Sequence, residues 1–427
     1  MFDLTKKNGN KPNFIDLFAG AGGLSEGFVR AGCEPIAHVE ADTAAACTLR
    51  TREAFHVLRG RGDLSGYFAY LSGQLSRDEF YSLAFGPRSS SVINAEIGAK
   101  SLSHIFNQLD IQIGDRKLDL IVGGPPCQAY SLVGRARSEQ KMVGDKRNYL
   151  FVYYAEFLRR YRPKFFIFEN VVGLLTAREA DGTRYFDMMW SLFKDLGYTV
   201  EYQVIAADEY GIPQKRKRII LVGRRGKKDG FFPELEKIPT DFLVEDAIGD
   251  LPSLRAGKGV PSAILLENPP SRWLAESGLL SADKSTTWHE ARPHNPRDLK
   301  IFKKVVNRWN KNGERLSYND LPESLKTHKN RSSFLDRFKV VAADLPASHT
   351  VVAHIAKDGN YYIHPDNAQN RSLTPREAAR LQTFPDDFYF EGASGKPSRT
   401  SAFKQIGNAV PVLLAEKISQ KLVENWS

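Results

Sequence analysis

From residue 14 to residue 223 the chain repeats one pattern: a short apolar run, a break rich in glycine, proline or acid, then apolar positions at helical spacing. Strands buried on both faces read as continuous apolar runs, and each parallel neighbour needs a crossover helix, so this alternation predicts an α/β domain on a mainly parallel sheet. A strand is expected over 14–18, followed by a glycine turn, Ala19-Gly20-Ala21-Gly22-Gly23, and a helix through about Ala31. A second strand over 35–40 ends in an acid, and 43–55 reads as a helix. The stretch 58–85 follows neither period and reads as an insertion. The sheet is expected to resume at 91–97 and to continue at 118–122 and 164–169, with an amphipathic helix over 149–161 between the last two. Strands over 198–207 and 218–223 close it.

After residue 224 the alternation stops. Proline, glycine and charged residues dominate to about residue 370, so residues 224–399 are expected to form a second, smaller domain. Order returns over 373–382 and in a helix from 411 to about 426. The first domain is then discontinuous, 1–223 plus 400–427. No internal repeat is visible.

A length of 427 residues and a 42% hydrophobic composition allow a large core and favour two domains. Three cysteines, Cys33, Cys47 and Cys127, show no paired spacing, which argues against a disulfide framework or a metal site and for a reducing, cytoplasmic setting. No run approaches the ~18 apolar residues of a membrane span, and the polar start has no signal-peptide core. The net charge of +10 favours a polyanionic partner. Its distribution is more informative: residues 300–339 hold eleven Lys/Arg against four Asp/Glu, interleaved with Phe302, Trp309, Tyr318, Phe334 and Phe338. A solvated basic helix surface would look similar, but basic residues mixed with aromatics suit phosphate and base contacts better.

Four local patterns carry candidate chemistry. In Gly123-Gly124-Pro125-Pro126-Cys127-Gln128, two prolines fix the backbone before a thiol at the end of a buried strand. Such presentation suits a nucleophile, although a free cysteine is often a small core residue. The glycine turn with Glu40 reads as a nucleotide-type site, in which the acid accepts ribose hydroxyls. The third fingerprint position holds Ser25, which points away from a pyrophosphate ligand. Glu169-Asn170 ends an apolar strand, where a carboxylate is costly unless used or paired; a role facing a helix dipole is the alternative. Gln214, Arg216 and Arg218 alternate onto one strand face and can hold a phosphate, a carboxylate or a base oxygen, or deter edge pairing.

In this order and spacing the motifs resemble the cytosine-5 DNA methyltransferase family of prokaryotic restriction-modification type. Residues 14–23 look like its cofactor strand and turn, Gly124-Pro125-Pro126-Cys127-Gln128 its nucleophile motif, Phe168-Glu169-Asn170-Val171 its acid motif, and 214–218 its arginine motif. Arg371-Ser372-Leu373-Thr374-Pro375-Arg376-Glu377 and Gln405-Ile406-Gly407-Asn408-Ala409-Val410-Pro411 look like the last two.

The resemblance implies a Rossmann-like, S-adenosylmethionine-dependent methyltransferase with a mixed sheet and a target-recognition domain over 224–399. It implies transfer of a methyl group to carbon 5 of a flipped-out cytosine in double-stranded DNA, with Cys127 as nucleophile at carbon 6, Glu169 at ring nitrogen 3, and Arg216 and Arg218 at the base oxygen and a nearby phosphate. Phe18, Ala19, Gly20, Gly22, Gly23, Leu24, Glu40, Glu96, Ile97, Pro125, Leu150, Asn408 and Val410 would bind the cofactor, with Asp63 as the competitor of Glu96 for the adenine amino group. Residues 129–148 match the family's mobile catalytic loop, and Gln128, Ser131, Arg135 and Arg137 would contact DNA. No metal is implied. A monomer is expected, with a restriction endonuclease acting on the same site as a plausible companion. The absence of a regulatory domain before Phe14 suggests a stand-alone enzyme.

Three departures stand out: Ala41 replaces a bulkier residue after the ribose-binding acid, Tyr130 stands where phenylalanine is usual, and the 58–85 insertion has no assigned role. Among rivals, an amino-group methyltransferase would need an aromatic in its Pro-Pro motif, which Asn268-Pro269-Pro270-Ser271 lacks. A tRNA-methylating relative is opposed by Gln128-Ala129. A non-catalytic DNA-binding relative would lack Cys127 or Glu169, and both are present.

Overall fold

The computed structural model describes residues 11–126, 149–424 and 426. Among the described residues, eight strands and seven α-helices make up the first half: β1 (Asn13–Leu17), α1 (Gly23–Arg30), β2 (Glu34–Glu40), α2 (Thr43–Gly60), α3 (Ser65–Leu71), α4 (Arg77–Phe85), β3 (Val92–Asn94), α5 (Leu102–Ile113), β4 (Leu120–Gly123), α6 (Leu150–Tyr161), β5 (Phe165–Asn170), α7 (Tyr185–Asp195), β6 (Tyr198–Ala206), β7 (Gln214–Lys215) and β8 (Lys217–Arg225). Seven of these strands form one sheet in the order β3-β2-β1-β4-β5-β8-β6. Neighbours are parallel except that β8 runs antiparallel to both β5 and β6.

The sheet is apolar on both faces because both are covered. Ile15, Leu17, Val39, Ile121, Phe166 and Phe168 pack with Ile105 and Leu109 of α5, Phe151, Tyr154 and Phe157 of α6, and Met189 and Phe193 of α7. Phe14, Leu120, Val122, Phe165, Ile167, Ile220 and Val222 face α1 and the C-terminal helix α13 (Val412–Glu424) through Phe28, Leu414, Ile418 and Leu422. Helices α1 and α13 touch closely: a Cβ on Gly27 would lie 2.4 Å from the Ala415 Cβ and 2.6 Å from the Val412 carbonyl. Register places Leu17 beside both Val39 and Gly123, and Gly123 beside Phe168. The next residues along, Phe18, Glu40, Gly124 and Glu169, therefore share the carboxyl edge of the sheet.

The expected α/β architecture is present, with adjusted boundaries. Helix α2 continues to Gly60, five residues past the expected end, and β3 is shorter than 91–97. The 58–85 stretch is ordered as the end of α2 plus α3 and α4. Tyr67 and Phe80 are fully buried there, and the Tyr70 hydroxyl donates to Glu391 at 2.5 Å. These helices bury faces against a segment more than 300 residues away, which explains why local periodicity did not reveal them. Only Ser76 and Glu79, a reciprocal capping box opening α4, were a local sign.

Beyond Arg225, no described residue joins the large sheet. This region holds the short helices α8 (Val244–Ile248) and α9 (Arg272–Glu276), and the two-residue strands β9 (Gly259–Val260), β10 (Ile264–Leu265), β11 (Ser285–Thr286), β12 (His289–Glu290) and β13 (Ser348–His349). It also contains one long helix, α10 (Pro296–Asn312), which the weak periodicity had hidden. The Asn295 side chain caps its start by accepting the Asp298 amide at 2.8 Å, Pro296 opens it and Gly313 ends it in the left-handed region. Helix α10 builds a separate small core from Phe302, Val305, Tyr318, Phe338 and Ile363.

After residue 370 come α11 (Pro375–Leu381) and α12 (Arg399–Asn408). Arg371, Arg376 and Arg380 are fully buried. Arg371 binds both oxygens of Glu377, at 2.7 and 2.6 Å, and Arg380 pairs with Asp250 and, at 2.8 Å, with Asp386. Arg376 donates to the carbonyls of Thr287, Pro385 and Phe388. No described helix is long and apolar enough to cross a membrane.

The α1–α13 contact has a direct test. Gly27→Ala should cost about 1–3 kcal/mol, the usual penalty for overpacking a filled interface, read as a lower urea midpoint at unchanged slope. An unchanged midpoint would show that the two helices separate easily.

Candidate active site at the carboxyl edge of the sheet

Two groups of residues meet at this edge. The first surrounds the turn after β1. Phe18 and Gly20 both have left-handed backbone, with φ of 57° and 56°, a conformation that a phenylalanine adopts only under constraint. The Gly20 amide donates to one Glu40 oxygen at 2.7 Å, and the Asp42 amide donates to the other at 2.7 Å. Glu40 thus fastens the end of β2 to the turn. Each carboxylate oxygen keeps a lone pair for a ligand hydroxyl. Burial pushes its pKa above the ordinary carboxylate value, and the amide hydrogen bonds oppose that shift. Open space surrounds the position a Gly20 Cβ would take.

The chain's last segment closes over the same turn. A Cβ on Gly23 would lie 2.4 Å from the Val410 carbonyl, so only glycine permits this approach. Asn408 ends α12 and is exposed, whereas Val410 is buried. Lys404 of α12 reaches Asp42 at 2.8 Å across the rim. Leu24 and Ile97, expected to touch the cofactor, are buried in the clusters on the two faces of the sheet. Ala19 is buried, Phe18 is partly buried against the α5–α6 side, and Leu150 is the first, partly exposed residue of α6.

Glu96 lies exposed two residues past β3, whose Asn94 is in register with Glu40. Asp63 is also exposed, and its carboxylate accepts the Ser65 amide at 2.8 Å at the start of α3.

The second group lies around the ends of β4 and β5. A Cβ on Gly124 would come within 2.6 Å of a Glu169 carboxylate oxygen, so the acid lies directly over the Gly-Pro-Pro turn. Arg218 at the start of β8 binds Glu169 through Nε at 2.7 Å, with both side chains largely buried. Asn170 donates to the Pro125 carbonyl at 3.2 Å and accepts the Val171 amide at 2.9 Å, which ties the proline turn to β5. The chain then enters Cys127. Cys127, Gln128, Ser131, Arg135 and Arg137, like the rest of 127–148, lie outside the described residues.

Arg216 departs from its expected place beside Arg218. It is buried, and its guanidinium donates to the carbonyls of Val351, at 2.8 Å, and Gly407, at 3.3 Å. It clamps two distant segments to the strand bearing Arg218, which makes it a positioning residue. Gln214, Arg216 and Arg218 do not share one strand: Gln214 lies in β7, which pairs with β13, Arg218 lies in β8 of the large sheet, and Arg216 falls between them. Gln214 is also buried, donating to the Leu381 carbonyl and to Gln382, which in turn donates to the Ile406 carbonyl.

Two polar residues escaped the sequence reading. Asn170 was legible only as the neighbour of Glu169. Asp16, set inside the apolar run of β1, is buried, and its Oδ2 has no hydrogen-bond partner among the described residues. Burial, reinforced by the charge of Glu40, holds its carboxyl well above the ordinary range and so favours the neutral form.

The chain is similar to known proteins along nearly its whole length. The family model described as C-5 cytosine-specific DNA methylase matches residues 12–60 and 90–424. The gap in the match contains α3 and α4, in accord with the reading of that stretch as an insertion. The chain is 40% identical to the type II methyltransferase M.Bpa9945I of Bacillus paralicheniformis over 95% of its own length and 97% of that relative. It is 31% identical to the type II methyltransferase M1.HphI of Haemophilus parahaemolyticus, over 96% of this chain and 86% of that one. Among solved structures, a DNA modification methyltransferase encoded within an Escherichia coli prophage matches with a TM-score of 0.62 at 23% identity, covering 97% of this chain and 99% of that one.

The neutral state of Asp16 sets a pH signature. Below about pH 4, near the ordinary Asp value, it is protonated in both folded and unfolded chains. As pH rises, the unfolded chain loses a proton that the folded one keeps, so this residue subtracts stability increasingly up to its folded value. Asp16→Asn, neutral at every pH, should therefore gain in melting temperature relative to wild type between pH 5 and pH 8. A difference independent of pH would show that Asp16 titrates normally.

Proposed function

The chain belongs to the C-5 cytosine-specific DNA methylase family, and from that premise we propose how this DNA (cytosine-5) methyltransferase of restriction-modification type works. The observation that carries the reading is the Glu169–Arg218 pair poised over Gly124, three residues before Cys127. Carbon 5 of cytosine is a poor nucleophile. Addition of the Cys127 thiolate to carbon 6 opens the 5,6 double bond and makes carbon 5 electron-rich. Glu169 hydrogen-bonds ring nitrogen 3 and stabilises charge arriving there, while Arg218 holds both Glu169 and the base oxygen. After carbon 5 is alkylated, a base takes its proton and the Cys127 thiolate departs, which restores the double bond. The ring atoms are out of reach within a duplex, so the cytosine must leave the stack.

The turn after β1 fits S-adenosylmethionine. Glu40 offers two oxygens to ribose hydroxyls, Gly20 leaves room for the methionine portion, Phe18 offers a face to adenine, and Pro125, Asn408 and Val410 complete the wall. Glu96 is assigned the adenine amino group. When bound, this cofactor supplies an electrophilic methyl group. Residues 224–399 take the role of target recognition, and 1–223 with 400–427 that of catalysis. Gln128, Ser131, Arg135 and Arg137 are assigned to DNA contact. A reducing cytoplasm keeps Cys127 as a thiol, and a monomer suffices for the chemistry; a companion endonuclease would act on the same sequence without needing contact.

Bisulfite sequencing of DNA from a host expressing the gene should reveal one protected sequence context. With a duplex carrying 5-fluorocytosine at that cytosine, wild type should form a covalent complex stable to denaturant, and Cys127→Ala should form none. Glu169→Gln should still bind the duplex but turn over about 10²-fold more slowly or worse. Trapping that survives Cys127→Ala, or methylation of tRNA in place of DNA, would overturn this reading.

A further inference from the structure

An exposed aromatic side chain on a braced, basic loop is used by none of the chemistry above. Residues 327–334 form an unbroken exposed run, Thr-His-Lys-Asn-Arg-Ser-Ser-Phe, ending in Phe334. Phe334 is 69% exposed and has φ of 55°. Among the described residues it is the one exposed apolar side chain with left-handed backbone. A bulky residue held that way, with its ring in water, is disfavoured twice over, and such strain marks positions where geometry serves a purpose.

The loop is built to hold that pose. Arg337 donates to the Phe334 carbonyl at 3.0 Å and to the carbonyls of Asn330 and Ser333 at 3.2 Å, while its guanidinium covers the Tyr318 ring at 4.1 Å. Asn330 accepts the amides of Ser332 and Ser333, and Asn319 donates to the Arg331 carbonyl. The loop is also tied to the catalytic strand. The Tyr361 hydroxyl donates to Asp336 at 2.9 Å, the His349 ring nitrogen donates to the Tyr361 carbonyl at 2.5 Å, and His349 of β13 pairs with Lys215 of β7, three residues before Arg218. Lys329 and Arg331 lie exposed on the loop, where Arg331 reaches Glu323 at 3.4 Å, and the same region carries the exposed Lys300, Lys303 and Lys304 of α10.

We propose that Phe334 is a DNA-stacking residue, inserting or stacking its ring against a base step of the substrate duplex while Lys329 and Arg331 hold the flanking phosphates. This rests on the methyltransferase reading and names a contact that reading leaves open. A flat ring serves any base, and a wedge between bases lowers the cost of unstacking a neighbour, whereas the cations supply affinity without sequence preference.

The test compares wild type, Phe334→Ala and Phe334→Trp on a duplex carrying the methylated context found by bisulfite sequencing. Binding is read by fluorescence anisotropy, turnover by methyl transfer, and unstacking by 2-aminopurine placed beside the target. Phe334→Ala should lower kcat/KM for DNA by about tenfold, the size of one lost base–aromatic contact, and diminish the 2-aminopurine signal. It should leave the melting temperature and the KM for S-adenosylmethionine unchanged, and Phe334→Trp should recover most of the loss. A wild type that methylates the duplex while Phe334→Ala matches it in affinity, rate and 2-aminopurine signal would overturn this proposal alone and mark the loop as a surface for a protein partner. A wild type that neither binds nor methylates duplex DNA would overturn the methyltransferase reading and this one together.

Discussion

Three guanidinium groups sealed from solvent hold the structure's distant parts in register. Arg371, Arg376 and Arg380 flank or lie on α11, each fully buried and each satisfied by carboxylates or backbone carbonyls. Removing one partner from such a pair strands an uncompensated buried charge and costs about 3–5 kcal/mol. Burial pushes Glu377 toward the neutral form, but the facing Arg371 overrides it and holds the carboxylate well below its usual range. Arg376, with carbonyls as its close partners, is pulled down to about 10 chiefly by burial. The arrangement tolerates little displacement, because each fork of donors needs its acceptors in place.

What depends on that rigidity is the meeting of segments remote in sequence. Gln382, next to α11, donates to the Ile406 carbonyl and accepts from Gln214, which leads through Arg216 into the strand carrying Arg218. Arg216 completes the loop by holding the carbonyls of Val351 and Gly407. From there the chain runs through Asn408 to Val410, pressed against Gly23. A single polar lattice thus sets both halves of the site: the cofactor turn through Val410, and the acid through Arg218 and Glu169. Its buried amides and guanidiniums specify position more than they add stability, since an apolar lattice of equal volume would be about as favourable.

Legibility varied with how local each cause was. The strands of the large sheet were readable because burial on both faces leaves continuous apolar runs such as Phe165-Phe166-Ile167-Phe168, and the glycine turn and Gly-Pro-Pro-Cys run were readable because their residue types have few other uses. Helices α3 and α4 were not, since beyond packing on α2 and each other their buried faces answer to Asp387, Tyr389 and Glu391, about 300 residues away. Helix α10 was missed although Asn295, Pro296 and Gly313 mark its ends, because its lysines masked the apolar stripe of Ile301, Phe302, Val305 and Val306. The resemblance put Arg216 just behind Arg218, both turned toward the base oxygen and a phosphate. They differ because one meets carbonyls in the interior and the other meets Glu169 at the edge.

By itself the sequence determined the strand order of chemistry: a glycine turn, an acid ending β2, a proline-braced thiol, an acid ending β5 and an arginine opening β8, each readable because parallel strands deliver their carboxyl ends to one edge. Only the tertiary structure decided which of these side chains face one another. It set Glu169 over Gly124 and against Arg218, withdrew Arg216 into the interior, left Asp16 buried and neutral, and braced Phe334 outward on its loop. The reason is physical: residue type and spacing fix what a strand end can offer, whereas burial and partner, which set a side chain's charge and reach, belong to contacts made across hundreds of residues.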